Sequence, residues 1–438
     1  MKVAIAGYGV EGKANLKYWQ QQGHDVVIVD ERESIDDVPA GCQVISGKDA
    51  FERIDECTPD MVVRTAGLSP HKLHTKAKIW SATNEFFLKC PAPIIGVTGT
   101  KGKGTTCSFA ASILKAAAKT VHLVGNIGIP ALDVLTEIQP EDIVVYELSS
   151  FQLWDLERSP HRAAVLMIEP DHLDVHRDFA EYLEAKSHIV SYQNHDDVCF
   201  YHPKNAWSEA IAKNQPESAT HVTKYNHASN SNELPEAAYV KGNRFITTHG
   251  RDICSTDEMR LPGVHNFDNA CAAISLCLPY IDDLKTVAEG LGKFDGLDHR
   301  LKFVTTKNDV RYYDDSIATT PGSAIAATHA FTEHKVFIIG GSSKGADFSE
   351  LAQELNNAAI RQVVLIGQEA QHIADTFKRA GFEKYIVSDK KTMAEIVEQS
   401  ESFAQAGDVI ILSPACASFD MFKDYKDRGD QFIAAARK

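Results

Sequence analysis

Apolar runs of four to six residues recur along the chain, and most are followed by a turn and then by a stretch with helical periodicity. Lys2 to Ala6, Asp25 to Val29, Ile94 to Thr98, Ile143 to Leu148, Ala163 to Ile168, Lys335 to Ile339, Val363 to Ile366 and Val409 to Leu412 read as strands. Glu11 to Gln22 reads as a helix closed by Gly23, because glycine takes the left-handed conformation that ends helices at little cost. Thr105 to Ala118 and Leu284 to Leu291 read as helices too. Strands alternating with helices predict an α/β protein with mostly parallel sheets covered by helices. Pro91 and Pro93 interrupt the rhythm just ahead of a new strand, and Gly296-Leu297-Asp298-His299-Arg300 interrupts it again after a helix. Three domains follow, at 1–91, 92–298 and 299–438. The Asn- and Ser-rich stretch 226–236 reads as a surface loop of the middle domain.

A length of 438 residues agrees with three domains. Charge narrows the partners. With 60 acidic and 45 basic residues the net charge is -15, and no nucleic acid is expected, because a phosphate backbone needs a basic face. Small anions remain open, since helix N-termini and a few cations hold them locally. Nine cysteines are scattered without a C-x-x-C pair, which suits reduced thiols better than a disulfide framework or a zinc site. No apolar run reaches the ~18 residues of a membrane span, and the first residues do not read as a signal peptide. A cytoplasmic protein with no membrane partner is expected.

Gly7-Tyr8-Gly9-Val10-Glu11-Gly12 lies between a strand and a helix, and Asp30 ends the next strand 18 residues after Gly12. That is the spacing of a dinucleotide fingerprint. Glycines let backbone approach a diphosphate, the helix N-terminus favours negative charge, and the acid can accept ribose hydroxyls. The pattern points to a nucleotide without specifying NAD, and a tight turn with no ligand is the bland alternative. The second Gly-rich turn, Gly99-Thr100-Lys101-Gly102-Lys103-Gly104-Thr105-Thr106, says more. Its backbone N–H groups can cradle phosphate, Lys103 can reach β- and γ-phosphate oxygens, and a Thr hydroxyl can ligate Mg²⁺. Two nucleotide-type turns in separate domains suit a nucleotide-bearing substrate on one and ATP on the other, rather than a dehydrogenase.

Further strings follow in order: Gly125-Asn126-Ile127-Gly128, Glu147-Leu148-Ser149-Ser150-Phe151-Gln152, Asp171-His172-Leu173-Asp174, Ala185-Lys186, His265-Asn266-Phe267-Asp268-Asn269-Ala270, Gly296 to Arg300, Asp314-Asp315-Ser316 and Leu412 to Asp420. With the phosphate loop they resemble the Mur ligases over essentially the whole chain. Within that family they resemble the branch that adds glutamate to UDP-N-acetylmuramoyl-L-alanine in peptidoglycan synthesis. Folylpolyglutamate synthase shares the Gly-Lys-Gly-Thr detail but neither the first turn nor the Ser-Pro-Ala-Cys-Ala-Ser string, and is the more distant alternative.

The resemblance implies a Rossmann-like N-terminal domain holding UDP, a central P-loop ATPase-like domain, and a C-terminal Rossmann-like α/β domain that binds the incoming glutamate. It implies ATP and two Mg²⁺ ions, and a monomer is expected. Gly9, Val10, Glu11, Asp30, Arg32 and Gly67 would contact the UDP moiety, and Asn126 and Ser149 the muramoyl-alanine arm. Gly99, Thr100, Lys101, Gly102, Lys103, Gly104, Thr105 and Thr106 would hold ATP with Asn266, Asn269, Arg300 and Asp315. Thr105, Glu147, His172 and Lys186 would serve the metal ions, Lys186 as a carbamate that turns a cation into an anion. Lys103, Glu147, His172 and Lys186 are the implied catalytic residues. Thr319, Lys344, Ser418, Phe419 and Tyr425 would bind glutamate.

The chain departs from the family pattern at three places. Gly104 replaces a hydroxyl residue, with Thr105 as its substitute. Ile317-Ala318-Thr319-Thr320 stands where the family usually has Lys-Ala-Thr-Asn, and Tyr425 where it usually has Phe. A related subgroup that adds L-glutamate carries a similar Ser-Ile-x-Thr-Thr string. The resemblance thus implies D-glutamate, with L-glutamate as the alternative.

Overall fold

The computed structural model describes every residue except 36, 128, 218–220, 229–233, 262, 264 and 344. Gly128, Lys344 and the middle of the expected loop 226–236 therefore lie outside the described residues. The chain forms two compact units, one of residues 1–260 and 264–294, the other of 261–263 and 295–438.

The first unit opens with β1 (Lys2–Ala6), α1 (Val10–Gln21), β2 (Asp25–Asp30), β3 (Gln43–Ser46), β4 (Met61–Arg64), β5 (Lys78–Ser81) and α2 (Ala82–Lys89). Its five strands are all parallel, in the order β3-β2-β1-β4-β5. Val3, Ala4, Ile5 and Ala6 are fully buried, which is why β1 reads as an unbroken apolar run rather than an alternating one. The chain winds outward through β2 and β3, then returns to the other side of β1, so the direction of winding reverses between β1 and β4.

A second sheet follows: β6 (Ile94–Thr98), α3 (Lys103–Ala116), β7 (Val121–Gly125), α4 (Ala131–Val134), β8 (Ile143–Glu147), α5 (Ser150–Leu153), β9 (Arg162–Val165), α6 (Phe179–Ser187), β10 (Val198–Tyr201), α7 (Ala206–Ala212) and β11 (His221–Lys224). Six parallel strands run β11-β10-β9-β6-β8-β7. Here β9 stops at Val165, short of the expected Ile168, because the next residues leave the sheet for the phosphate loop: Thr100 N–H donates to Met167 O at 2.9 Å. One apolar cluster, from Val3 to Ala212, runs through both sheets. The first unit closes with an antiparallel three-stranded sheet, β12 (Ala238–Lys241), β13 (Arg244–Thr247) and β14 (Asp252–Ser255), and two helices, α8 (His265–Cys277) and α9 (Lys285–Lys293). Both helices pack on α3, and a Cβ on Gly290 would lie 2.5 Å from Ile113 Cα, so α9 and α3 touch backbone to backbone.

The second unit holds β15 (Lys302–Lys307), β16 (Val310–Asp314), α10 (Pro321–His329), β17 (Lys335–Gly340), α11 (Ser349–Asn357), β18 (Ile360–Ile366), α12 (Ala370–Arg379), β19 (Tyr385–Val387), α13 (Met393–Glu401), β20 (Val409–Leu412) and α14 (Tyr425–Ala436). The strand order is β15-β16-β20-β17-β18-β19, parallel except for the β15–β16 hairpin. Winding reverses between β17 and β20.

Candidate active site

Ligands of open parallel sheets bind outside the carboxyl ends of the strands, where the winding reverses. In the first sheet that point holds the Gly7–Gly12 turn after β1 and the Thr65-Ala66-Gly67 turn after β4. Gly7 has φ +95° and its absent Cβ would lie 2.3 Å from Thr65 Oγ1; a Cβ on Gly12 would meet Gly7 O at 2.2 Å. A Cβ on Gly9 would meet nothing within 4 Å, so the middle glycine leaves space beside the helix N-terminus. Val10 is exposed, while the Glu11 carboxylate accepts from Ala66 N–H at 2.9 Å. Burial pushes the Glu11 carboxyl up, against the pull of the Ala66 N–H and the Arg64 charge. Asp30 is already engaged: it accepts from Tyr8 N–H at 2.7 Å and from Arg32 Nε at 2.8 Å and Nη2 at 2.9 Å. Burial would raise its carboxyl, but these donors hold it below the ordinary value. Asp30 thus orients Arg32, whose side chain stays half-exposed.

The phosphate loop joins β6 to α3. Gly102 caps the helix in the left-handed region, φ +85°, so α3 begins at Lys103, two residues before the expected start. A Cβ on Gly102 would lie 2.4 Å from Asn269 Oδ1, and Asn269 Nδ2 donates to Asn266 Oδ1 at 3.0 Å. Both asparagines of α8 therefore sit against the loop. Lys103 Nζ folds back onto Gly99 O at 2.9 Å and Thr100 O at 3.1 Å. Lys101 is exposed, 3.6 Å from Glu169. Thr105 and Thr106 lie buried in the first turn of α3.

Lys186 arrives from α6 at the same point. Its Nζ is 3.1 Å from Gly99 O and 3.2 Å from Thr98 Oγ1, and its side chain is 1% exposed. Burial, helped by the neighbouring Lys103 charge, holds this amine well below the usual lysine range, against Asp171 and Glu147. Two amines thus share one carbonyl, and burial works against the charge of the second. Glu147 ends β8, in register with Val97 one residue before the end of β6, and is buried. Its Oε1 accepts from Asn126 Nδ2 at 3.0 Å. Among the described residues no three His, Cys, Asp or Glu side chains form a metal cage. A nucleotide-bound divalent cation draws most of its ligands from phosphate and water, so a lone carboxylate such as Glu147 is a fitting donor.

Ser149 caps α5 in a reciprocal capping box with Gln152, so its hydroxyl has a local partner. His172 is exposed, in the left-handed region at φ +54°, with its ring 4.9 Å from Phe151. Loop, Lys103, Lys186, Asn269 and, through it, Asn266 are thus linked by direct contacts, the Glu147–Asn126 pair lies at the end of the neighbouring strand, and His172 shares the aromatic neighbourhood of α5.

In the second unit the switch point lies between the Gly340-Gly341 turn after β17 and the segment after β20. Ser342 N–H donates to Ala417 O at 2.9 Å across it, and Ser418 beside it is buried while Phe419 is exposed. Asp315 accepts from Ser413 Oγ at 2.7 Å and Leu301 N–H at 3.0 Å; burial pushes its carboxyl up to about 7. Arg300 is exposed and Thr319 half-buried. Tyr425 packs edge-on to His299 at 6.0 Å.

The sequence reading missed Arg64, His71, His176, Glu181 and Arg428. Arg428 is fully buried and donates to Ser316 Oγ at 2.9 Å and Ser316 O at 2.7 Å, and to Cys416 O and Ala417 O at 3.2 Å, so it ties together the segments that carry Asp315 and Ser418. His176 stacks on Trp154 at 4.0 Å and bonds Ser150 Oγ through Nε2, while its buried Nδ1 has no hydrogen-bond partner among the described residues. A motif search cannot find such residues, because they contact neighbours distant in sequence.

Residues 97–277 match the Mur ligase middle domain and residues 299–416 the Mur ligase glutamate ligase domain. The chain is 34% identical over 447 residues to the UDP-N-acetylmuramoylalanine–D-glutamate ligase of Clostridium perfringens, covering 98% of this chain and 95% of that one. Identity to the enzyme of the same name from Clostridium tetani is 32% over 452 residues, covering 100% and 96%. In structure it is similar to the UDP-N-acetylmuramate–alanine ligase MurC of Thermotoga maritima, with TM-score 0.60, 18% identity and coverage of 100% and 99%. It is also similar to the MurF ligase of Thermotoga maritima in complex with ADP, with TM-score 0.55, 16% identity and coverage of 99% and 93%. At such identities these two likenesses bear on the fold.

Proposed function

The chain belongs to the Mur ligase family, and from that premise we propose that it joins D-glutamate to the alanyl carboxylate of UDP-N-acetylmuramoyl-L-alanine, with ATP converted to ADP and phosphate, in peptidoglycan synthesis. Residues 1–91 hold the UDP moiety, 92–298 the ATP and 299–438 the glutamate. A carboxylate is a poor electrophile and must first be activated. One of its oxygens attacks the γ-phosphorus, the β–γ bridge breaks and ADP leaves, giving an acyl phosphate. The glutamate amine then adds to the acyl carbon, and the tetrahedral intermediate expels phosphate while the amine loses its proton.

The chain's part is to hold crowded anions in line. Loop N–H groups and the α3 N-terminus receive the phosphates. Lys103 exchanges the Gly99 and Thr100 carbonyls for the terminal phosphate, where its positive charge offsets the charge on the transferring group. Thr105 and Glu147, with His172, are the residues that would hold two Mg²⁺ ions, which supply charge neutralisation across the β- and γ-phosphates. Burial disfavours the charged form of Lys186, the neutral amine is the form that adds CO₂, and a carbamate there would replace its positive charge with a negative one. Asn126 keeps the Glu147 carboxylate oriented, and Arg32, held by Asp30, faces the UDP site. Lys344, Ser418, Phe419, Thr319 and Tyr425 serve the glutamate.

The observation that carries this reading is the meeting of Lys103 and the buried Lys186 on one loop carbonyl, with Glu147 buried at the end of the neighbouring strand. Phosphate release with the UDP substrate and each glutamate enantiomer tests it. Release that requires D-glutamate is expected. Release with L-glutamate alone assigns the other enantiomer, which Ile317-Ala318-Thr319-Thr320 favours, and release with neither overturns the ligase.

A further inference from the structure

The first sheet is tied to α5, which follows Glu147, and to α6, which carries Lys186, and both ties come from the end of β4 and the segment after it. Arg64 ends β4 directly ahead of the Thr65-Ala66-Gly67 turn. It is buried, and its Nη1 donates to Thr65 O at 3.2 Å and Leu68 O at 2.6 Å, which shapes that turn. Its other donors leave the sheet: Nε reaches Asp155 Oδ2 at 2.6 Å and Nη2 reaches Phe151 O at 2.7 Å. Phe151 is the second residue of α5, which starts three residues after Glu147. His71, seven residues on from Arg64, places Nε2 2.9 Å from Glu181 Oε1 on α6, with its ring edge-on to Trp154 at 5.5 Å. Glu181 is fixed in turn by Arg177 N–H at 2.8 Å and Arg177 Nε at 2.7 Å. Its neighbour Tyr182 is hydrogen-bonded to Thr100 Oγ1 at 2.9 Å, inside the phosphate loop.

We propose that Arg64 and His71 are positioning residues of the ligation. Together they set the distance and tilt between the UDP-binding turn and the phosphate loop, and so fix where the alanyl carboxylate arrives relative to the γ-phosphorus. The inference rests on the proposed function. The substrate is gripped at its UDP end and reacts at its far end, so a small rotation of the first sheet sweeps the carboxylate out of line. Reacting atoms must come within ~3–3.5 Å, and a misplacement of ~1 Å costs on the order of 10²-fold in rate. Asn84, which donates to Asp155 O at 2.7 Å and accepts from Glu157 N–H at 2.8 Å, and the shared apolar cluster hold the sheets together elsewhere, while Arg64 and His71 act on two helices at the turn itself. Neither residue has to touch the substrate.

The test uses the full chain with His71→Ala, a half-exposed site whose loss spares the core, and Arg64→Lys, which keeps the charge without the guanidinium fork. Steady-state constants are measured for UDP-N-acetylmuramoyl-L-alanine and for an analogue with β-alanine in place of L-alanine, one backbone carbon longer. For His71→Ala we expect kcat on the native substrate to fall ~10-fold or more with both nucleotide KM values within ~3-fold, as for lost alignment rather than lost binding. The preference for the native over the longer substrate should shrink by a similar factor, because a loosened reach no longer discriminates length. Arg64→Lys should shift the same ratio in the same direction. A ratio unchanged from wild type, with both substrates slowed alike, means a purely structural role and overturns the proposal, as does a wild-type kcat in His71→Ala. Should Arg64→Lys fail to fold, His71→Ala decides alone. No turnover by the wild-type chain would instead overturn the function on which the proposal rests.

Discussion

Glu181→Gln keeps the size of the side chain near the start of α6 and removes its charge. Burial pushes this carboxyl up, but the Arg177 N–H and the His71 and Arg177 side chains outweigh it and hold it at about 2, against an ordinary value of 4.5. The gap of about 2.5 pH units corresponds to at most ~3.5 kcal/mol, at ~1.4 kcal/mol per unit. The Arg177 and His71 side chains are 69% and 42% exposed, and water screens them, so ~1–2 kcal/mol is the working figure. The sign follows from the depressed folded value. The stabilisation is complete above pH 4.5, where the unfolded carboxylate is also ionised, and is lost as pH falls towards 2. In a unit of nearly 300 residues each kcal/mol moves Tm by roughly 2–3 °C, so the wild-type chain should melt ~2–6 °C above the variant at pH 6. More than half of that difference should vanish by pH 3. His176, whose imidazolium is disfavoured by burial, withdraws stability as pH falls below 6.5, so the quantity compared is the difference in Tm between the two chains at each pH. Calorimetry of both chains from pH 6 to pH 3 is the assay. A Tm difference that stays constant from pH 6 to pH 3 would refute the reasoning, because the contribution would then be packing rather than charge.

Lys103→Ala should abolish phosphate release while calorimetric binding of the UDP substrate stays within ~3-fold, since the two sites lie on different sheets; lost UDP affinity alone would contradict the domain roles. Lys186→Ala should be inactive and partly rescued by short carboxylic acids, and ¹³C-bicarbonate should give the wild-type chain a carbamate NMR signal that the variant lacks. Asp315 has a carboxyl raised to about 7, so the folded state holds a proton that the unfolded chain has lost. Stability of the second unit should therefore fall as pH rises from about 4 to 7, by up to ~4 kcal/mol, and Asp315→Asn should flatten that slope in urea titrations.

What the sequence made legible are features whose cause is local. The G-x-G-x-x-G turn is readable because its glycine spacing between a strand and a helix is itself a local pattern, although the Thr65 side chain that Gly7 makes room for lies 58 residues away; β1, β6 and β20 are readable because strands buried on both faces are continuous apolar runs. β3, β4 and β5 were not readable. Each has four residues with a polar or charged end, as in Met61-Val62-Val63-Arg64, and such a run resembles a loop until its neighbours are known. The β12–β14 sheet was missed for a similar reason, since its short strands carry charge at Lys241, Arg244 and Asp252. Lys186 was legible only through family resemblance. The physical cause of its lowered pKa, burial beside Lys103, depends on α6 and β6 meeting 88 residues apart in sequence.

Asp30 shows how a correct motif can carry a different role. In a dinucleotide site the acid after the second strand accepts ribose hydroxyls, and that needs free lone pairs. Here Tyr8 N–H, Arg32 N–H and two Arg32 side-chain nitrogens occupy both oxygens of Asp30. A carboxylate so saturated gains little from a hydroxyl, whereas the guanidinium it orients is half-exposed at the carboxyl end of the sheet, where its positive charge favours an anionic group. One arginine two residues downstream thus sets a positive charge beside the acid without altering the glycine turn. The same backbone that would suit a dinucleotide in a redox enzyme then suits the UDP end of a ligase substrate, and the reacting carboxylate is left to the second sheet.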